Sequence, residues 1–409
     1  MENILIVGKV WPEPNSSAAG MRMMQLIEFF IGRGNDVTFV STAKHSEFQE
    51  DLSAYDLTYD FVSLNDSSFN KLVEEKNPKA VIFDRFMTEE QFGWRVMESC
   101  PKALRILNTE DLHFLRDARH RAVKKGVEID LINYRSEMQL REIAAIYRSD
   151  ISLMISDYEV ELLHSIYGLP KEKLLHVPLF DEKIIDQVGF DDRADFMFIG
   201  NYRHEPNWDA VRYLKSTIWP LIRKKLPKAS LKIYGAYCSE KVYQLTNERE
   251  RFMVIGRAED AKEVTKKARV SLAPIRFGAG IKGKLIEAMC CGTPSVTTSV
   301  GAEGMILEGL WGGFVTDEPE SFAERAIELY REESTWIKAQ KQGFELLEKR
   351  FSKERAFSDF KDFLDENCDL NDLRKKSLVG SILQHQSFQA SRYMSIWIEE
   401  KKRNGRGGS

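Results

Sequence analysis

The chain has 409 residues, 43% of them hydrophobic and 30% charged, with a net charge of −4 and a pI of about 6.1. That length suits two domains better than one core. The mild acidity excludes a dedicated nucleic-acid binder, and no run approaches the ~18 apolar residues of a membrane span.

Five cysteines, Cys100, Cys238, Cys290, Cys291 and Cys368, show no metal-ligand spacing and are odd in number. They fit a reducing compartment better than a disulfide framework. The first apolar run, Ile4-Leu5-Ile6-Val7, is only strand-length, and Glu2 precedes it where a secretion signal would carry basic residues. The expected location is cytoplasmic, or peripheral to a membrane.

The N-terminal half alternates short apolar runs with amphipathic stretches. Ile4–Val7, Val37–Ser41, Ala80–Phe83, Leu104–Leu107, Ile151–Ile155 and Leu174–Val177 read as strands. Near-continuous apolar runs of this kind are buried on both faces, which predicts a parallel sheet. Between the first strand and its helix runs a long loop with Pro12, Pro14, Ser16, Ser17 and Gly20, and Arg22 follows on the helix. After the strand Leu104–Leu107, the polar stretch Asn108 to Arg116 falls at the sheet's carboxyl edge. His113 stands there beside Glu110 and Asp111. Residues 116–125 add Arg116, Arg119, His120, Arg121, Lys124 and Lys125. This basic run reads as a solvated helix face, or as a contact for an anionic acceptor or lipid headgroups.

An Asp-rich break spans Pro178 to Asp195, and the rhythm then restarts. Phe196–Ile199, Leu231–Tyr234, Phe252–Ile255, Val270–Ala273 and Ser295–Thr297 are the next strands, with helices predicted over Trp208–Lys225, Glu259–Ala268 and Ile281–Cys291. The expected fold class is therefore α/β, with two doubly wound Rossmann-like domains, over residues 1–180 and 190–366. A helical segment at about 370–400 is expected to cross back onto the first domain. The last residues, 401–409, read as a disordered polar tail.

The most informative stretch is Val270 to Gly304. A buried strand leads into a loop with Arg276, Gly278, Gly280 and Gly283, then a helix bearing Lys282, Lys284 and Glu287 near its start, then Gly292, Pro294 and another strand. In such a unit the ligand sits at the loop, beyond the strand's carboxyl end. A helix N-terminus offers free N–H groups and partial positive charge that suit phosphate. Glycines admit a diphosphate to the backbone, lysines add charge, and Glu287 can accept hydrogen bonds from sugar hydroxyls. The chemistry is that of a nucleotide-sugar site.

The order Arg276, Gly278, Gly280, Lys282, Lys284, Glu287-Ala288-Met289, Gly292-Thr293-Pro294 closely resembles the donor-binding signature of retaining glycosyltransferases of the GT-B fold, family 4-like (group 1). The resemblance implies two domains facing across a cleft, with a nucleotide-diphosphate sugar as donor and a glycan, lipid-linked or protein hydroxyl as acceptor. It implies retention of configuration. No metal or other cofactor is expected, because no Asp-x-Asp motif stands at a strand end and the lysines with a helix N-terminus can neutralise the leaving diphosphate. Glu287 matches the family's second glutamate, which binds ribose. Ala279 stands where the first glutamate would touch the donor sugar, as in a subset whose loop reads Gly-Ala-Gly with lysines. By the same resemblance Lys282 and Lys284 neutralise the leaving diphosphate with Arg276, Gly278, Gly280 and Arg203. Gly256 and Arg257 hold the base, His113 acts on the sugar side, and the loop with Ser17 and Gly20 covers the acceptor. Rival readings are a sugar-nucleotide epimerase of the same fold and a non-catalytic GT-B subunit.

Overall fold

The computed structural model describes residues 2–184, 186, 188–366 and 369–406; Cys368 lies outside them. The first domain is built on β1 (Asn3–Gly8), β2 (Asp36–Ser41), β3 (Thr58–Phe61), β4 (Ala80–Asp84), β5 (Leu104–Asn108), β6 (Ile151–Met154) and β7 (Leu174–His176), in spatial order β3-β2-β1-β4-β5-β6-β7. The second holds β8 (Ala194–Ile199), β9 (Leu231–Tyr234), β10 (Phe252–Gly256), β11 (Ala268–Ala273), β12 (Ser295–Thr297) and β13 (Gly313–Val315), ordered β10-β9-β8-β11-β12-β13. Every pairing within both sheets is parallel.

The apolar runs have a direct physical cause. Leu5 and Val7 of β1 pack with Val81, Phe83 and Leu107 on one face, while Ile4 and Ile6 pack with Ile82 and Ile106 on the other. Helices cover both faces, so side chains that alternate along the strand are all buried. β3 was not foreseen because its residues, Thr-Tyr-Asp-Phe, are exposed at the sheet edge. β13 was missed too, being three half-buried residues after a glycine pair.

Each strand order reverses direction once, between β1 and β4 in the first sheet and between β8 and β11 in the second. At such a point neighbouring loops diverge and leave a crevice at the carboxyl ends. The two crevices meet in one interdomain cleft.

The chain returns to the first domain before residue 366. Phe357 stacks on Phe29 at 4.4 Å, and Phe360 meets Phe30 edge-on at 5.9 Å. Both belong to the first domain's core with Ala356. Helices Leu370–Lys375, Leu378–Leu383 and Gln389–Arg406 then lie on the first domain. Arg374 pairs with Asp150 at 2.7 Å, Arg95 donates to the Ser395 hydroxyl at 2.8 Å, and Gly380 lies close against the Tyr147 carbonyl, where a Cβ would have no room. The predicted disordered tail is corrected: helix Gln389–Arg406 runs through residues 401–406, and residues 407–409 lie outside those described.

Candidate functional site

The cleft encloses about 680 Å³ and is lined from both domains. Its anchor is helix Gly283–Cys290, whose N-cap position is Lys282 and has no side-chain cap. Leu285 N–H closes onto the Lys282 carbonyl at 2.8 Å, which leaves the N–H groups of Gly283 and Lys284 for a ligand. Lys282 donates to the Gly280 carbonyl at 2.6 Å, and Lys284 donates to Asn207 Oδ1 at 2.6 Å with the Phe198 ring beneath it. Burial pushes the Lys282 ammonium down to about 8, against the pull of Glu303 and Glu159. Burial likewise lowers Lys284 to about 7, against Glu287. For both ammonium groups burial outweighs the nearby carboxylates, and an anionic ligand would favour the charged forms.

One turn further on, Glu287 also lines the cleft. Burial, then Asp181, lifts its carboxyl to about 7, and the Thr265 hydroxyl donates to it at 3.3 Å. Beside it, helix Ala261–Lys267 is capped by Asp260 and brings Lys262 against Asp181 at 2.7 Å.

The first domain grips the glycine loop directly. Glu159 accepts from the Gly280 N–H at 2.7 Å, and Gly280 adopts φ +62 where a Cβ would sit 2.9 Å from Asp111 Cβ. Arg119 donates to the Gly278 carbonyl at 2.9 Å and forks onto Glu303 with two contacts of 2.7 Å. Across the cleft mouth, the Tyr237 hydroxyl bonds Glu13 at 2.7 Å and Asn201 reaches the Ser16 carbonyl at 3.3 Å.

His113 opens the helix His113–Lys125, where its own N–H donates to Glu142 at 3.0 Å. Its Nδ1 lies 3.1 Å from the Asp111 carbonyl and its ring sits edge-on to Phe86. Nε2 has no hydrogen-bond partner among the described residues. Asp111 is ion-paired with Arg116. Burial works to raise the Asp111 carboxyl, but Arg116 and His113 outweigh it and hold it well below the usual carboxylate range.

Several expected site residues stand elsewhere. Arg276 is half-exposed and forked onto Asp209 at 2.8 and 2.5 Å, outside the cleft lining. Arg203 lies over the Tyr237 ring at 3.5 Å, also outside the lining. Gly256, at φ +91, shapes the turn after β10 and accepts from the Gly235 N–H at 2.8 Å, while Arg257 lines the cleft over the Phe48 ring. Ser17 lines the cleft as the N-cap of helix Ala18–Gly32, accepting from the Gly20 N–H at 3.0 Å. Gly20 is packed against the Glu13 backbone, where a Cβ would have no room. Gly278 lines the cleft, and Gly280 lies behind it. The basic run is largely consumed internally: Arg116 and Arg119 are paired as above, Arg121 meets Asp117, and His120 stacks on Phe277.

Four lining residues were assigned no role from sequence. Arg85 follows β4 at φ +70, at the point where the strand order reverses. His204, just before helix Glu205–Tyr213, is lowered to about 4 by burial and then by Arg116. Asn207 holds Lys284, and Glu110, lifted to about 8 by burial and then by Asp84, faces Arg85 and Arg22. Their shared signal was position: Arg85 and Glu110 stand just past β4 and β5, and His204 and Asn207 stand at the start of the helix that follows β8. Among the described residues no group of three or more His, Cys, Asp or Glu side chains could hold a metal ion.

With that geometry in view, residues 193–332 match the family model described as glycosyl transferases group 1. Residues 193–332 thus resemble a group 1 glycosyltransferase domain. The matched span covers β8 to the helix Pro319–Arg331, and so contains the lysine pair and Glu287 of the transferase. Among solved structures, sucrose-phosphate synthase of Thermosynechococcus elongatus is similar at 15% identity and a TM-score of 0.66, over 90% of this chain and 99% of that one. Anabaena Alr3699/HepE, solved with UDP and glucose, is similar at 10% identity and a TM-score of 0.67, over 90% of this chain and 100% of that one. An S. aureus TarM variant, solved with Fondaparinux, alpha-GlcNAc-glycerol and UDP, reaches a TM-score of 0.67 at 9% identity, over 88% of this chain and 99% of that one. At these identities the likeness is one of fold, the two-domain GT-B arrangement. Comparison by sequence with curated proteins finds no match.

Proposed function

We propose that this glycosyltransferase moves a sugar from a nucleoside-diphosphate donor to a hydroxyl acceptor, with retention of anomeric configuration and without a metal ion. One observation carries the reading. Two buried lysines, lowered to about 8 and about 7, flank an uncapped helix N-terminus inside an interdomain cleft. A diphosphate placed there meets both ammonium groups and the free N–H groups, and its charge grows as the glycosidic bond breaks. Glu287, one helical turn deeper, is the group for ribose hydroxyls. His113, with Nε2 free, is the group for the sugar side, and the loop around Ser17 borders the acceptor. UDP is the first nucleotide to test, because two of the similar structures hold it.

The test is kinetic. Lys282→Ala with Lys284→Ala should lower kcat more than it raises KM, since the charge they meet is greatest in the transition state. Chelator should leave wild-type turnover intact. Turnover that depends strictly on Mg²⁺ or Mn²⁺, with a double variant that keeps its kcat, would overturn the proposed role.

A further inference from the structure

A second cavity, of about 780 Å³, opens on the first domain where the C-terminal helices cross helices Phe86–Ser99 and Glu137–Arg148. Its walls carry Trp94, Ile143, Leu383, Phe388 and Met394. Its charged members are already paired, Arg141 with Glu90 at 2.7 Å and Arg148 with Glu89 at 2.5 Å. The groove therefore offers apolar surface beside the polar side chains of Asn65, Gln91, Ser387 and Ser391.

Around its rim the C-terminal segment leaves large apolar side chains in solvent. Leu378 is 70% exposed, with Val379 and Ile382 beside it in the same helix. On helix Gln389–Arg406, Phe388 just before it and Ser395 face the protein, while Tyr393 is 63% exposed and Trp397 59%, next to exposed Met394 and Ile396. Val379 and Met394 both line the groove, so the two apolar strips are continuous. A contiguous exposed patch of this kind marks an interaction surface.

Charge decides what it meets. Residues 370–406 hold eight Lys and Arg against three Asp and Glu; Arg374 and Arg392 pair with Asp150 and Glu98 of the first domain, while Lys375, Lys401 and Lys402 are exposed and in no ion pair among the described residues. The cations stand beside the exposed aromatics: Lys401 lies over the Trp397 ring at 5.2 Å and Arg392 over the Tyr393 ring at 5.8 Å. Aromatic rings next to basic side chains suit the boundary between headgroups and acyl chains. A second copy of the chain would bring the same positive excess against itself. No described helix is long and apolar enough to cross a membrane, so such a segment would lie on a bilayer rather than span it.

We propose that the segment Leu370–Arg406 docks the protein on an anionic phospholipid surface, with the Tyr393–Trp397 face and the rim of the groove in the headgroup region. The basic run of residues 116–125 is set apart from this face: Arg116 and Arg119 are held in internal ion pairs, and Lys124 and Lys125 stand in the last turn of a different helix.

The test is sedimentation of the full chain with vesicles of phosphatidylcholine, with and without phosphatidylserine. The protein should pellet with the anionic vesicles only, and added salt should release it. Tyr393→Ser with Trp397→Ser should abolish the pelleting. Lys401→Ala with Lys402→Ala should lower it by ~30-fold, at roughly fivefold for each basic residue removed. These side chains are exposed, so melting should not change in either variant. Failure to pellet with anionic vesicles would overturn the proposal, as would equal binding to both vesicle types. So would light scattering that shows a dimer in free protein which Trp397→Ser dissociates, since a second copy would then cover the face.

Discussion

At the scale of single residues, the cleft gathers ionisable groups held away from their ordinary values, and each deviation carries a testable consequence. Glu287 sits at about 7 because it is buried near Asp181. If it holds ribose, Glu287→Ala should cost ~1.5–3 kcal/mol of nucleotide binding, more than tenfold in affinity. Because the change removes a strained buried acid, the apo variant should melt no lower than wild type. Calorimetric titration and a melting curve measure both, and unchanged affinity would remove Glu287 from the ribose. His113 makes the opposite kind of case. Its Nδ1 meets a backbone carbonyl and its ring an aromatic edge, with Nε2 unpartnered. His113→Ala should cut transfer strongly while the melting temperature stays within a few degrees, on the scale of ~1 kcal/mol. A destabilised variant with near-normal turnover per folded molecule would make His113 structural.

At the scale of elements, the glycine loop before helix Gly283–Cys290 is rigid because the first domain holds it. Gly280 has φ +62 and a wall of Asp111 and Ile155 at 2.9 and 3.0 Å from a built Cβ. Gly280→Ala should destabilise by ~1–2 kcal/mol for the left-handed backbone alone, with further loss from the clash. The observable is a lower melting temperature together with weakened nucleotide binding; a loss of binding with no change in melting would place the glycine's role in ligand contact instead. The sequence made this loop, its helix and eleven of the strands legible, because buried parallel strands leave continuous apolar runs and glycines mark the turns. It did not show that Arg276 turns to Asp209, or that Arg203 turns to Tyr237. A basic residue in a loop has several anionic and aromatic neighbours available, and only the tertiary arrangement selects among them. Edge strand β3 was illegible because an exposed strand carries no apolar period. Glu159 and His204 were illegible because their neighbours come from the other domain.

At the scale of the whole molecule, two Rossmann-like domains close on a cleft whose buried carboxyls and lysines are held away from their ordinary values. Glu110 and Glu159 are lifted to about 8 and Glu287 to about 7, in each case first by burial. A carboxyl raised in the folded state contributes stability that is complete below its unfolded value near 4.5 and is lost as pH rises through the folded value. The apo protein should therefore lose stability between about pH 4.5 and pH 7, read as a falling melting temperature; rising stability across that window would mean these groups stay ionised. The lysines act in the opposite sense above pH 7, where the unfolded chain holds protons that the fold has shed, so the decline should flatten there. A diphosphate reverses the lysine shifts, since it binds the ammonium forms. Affinity should be full below about pH 7 and fall as pH rises past about 8, where Lys282 and Lys284 are neutral in the free protein. The most direct measurement is calorimetric titration with UDP and the other nucleoside diphosphates, at about pH 7.5, in buffers of different ionisation enthalpy. The account predicts binding of at least one of them with net proton uptake, abolished in the Lys282→Ala, Lys284→Ala double variant. Absence of binding by any nucleoside diphosphate, or binding that survives in the double variant without proton uptake, would contradict it.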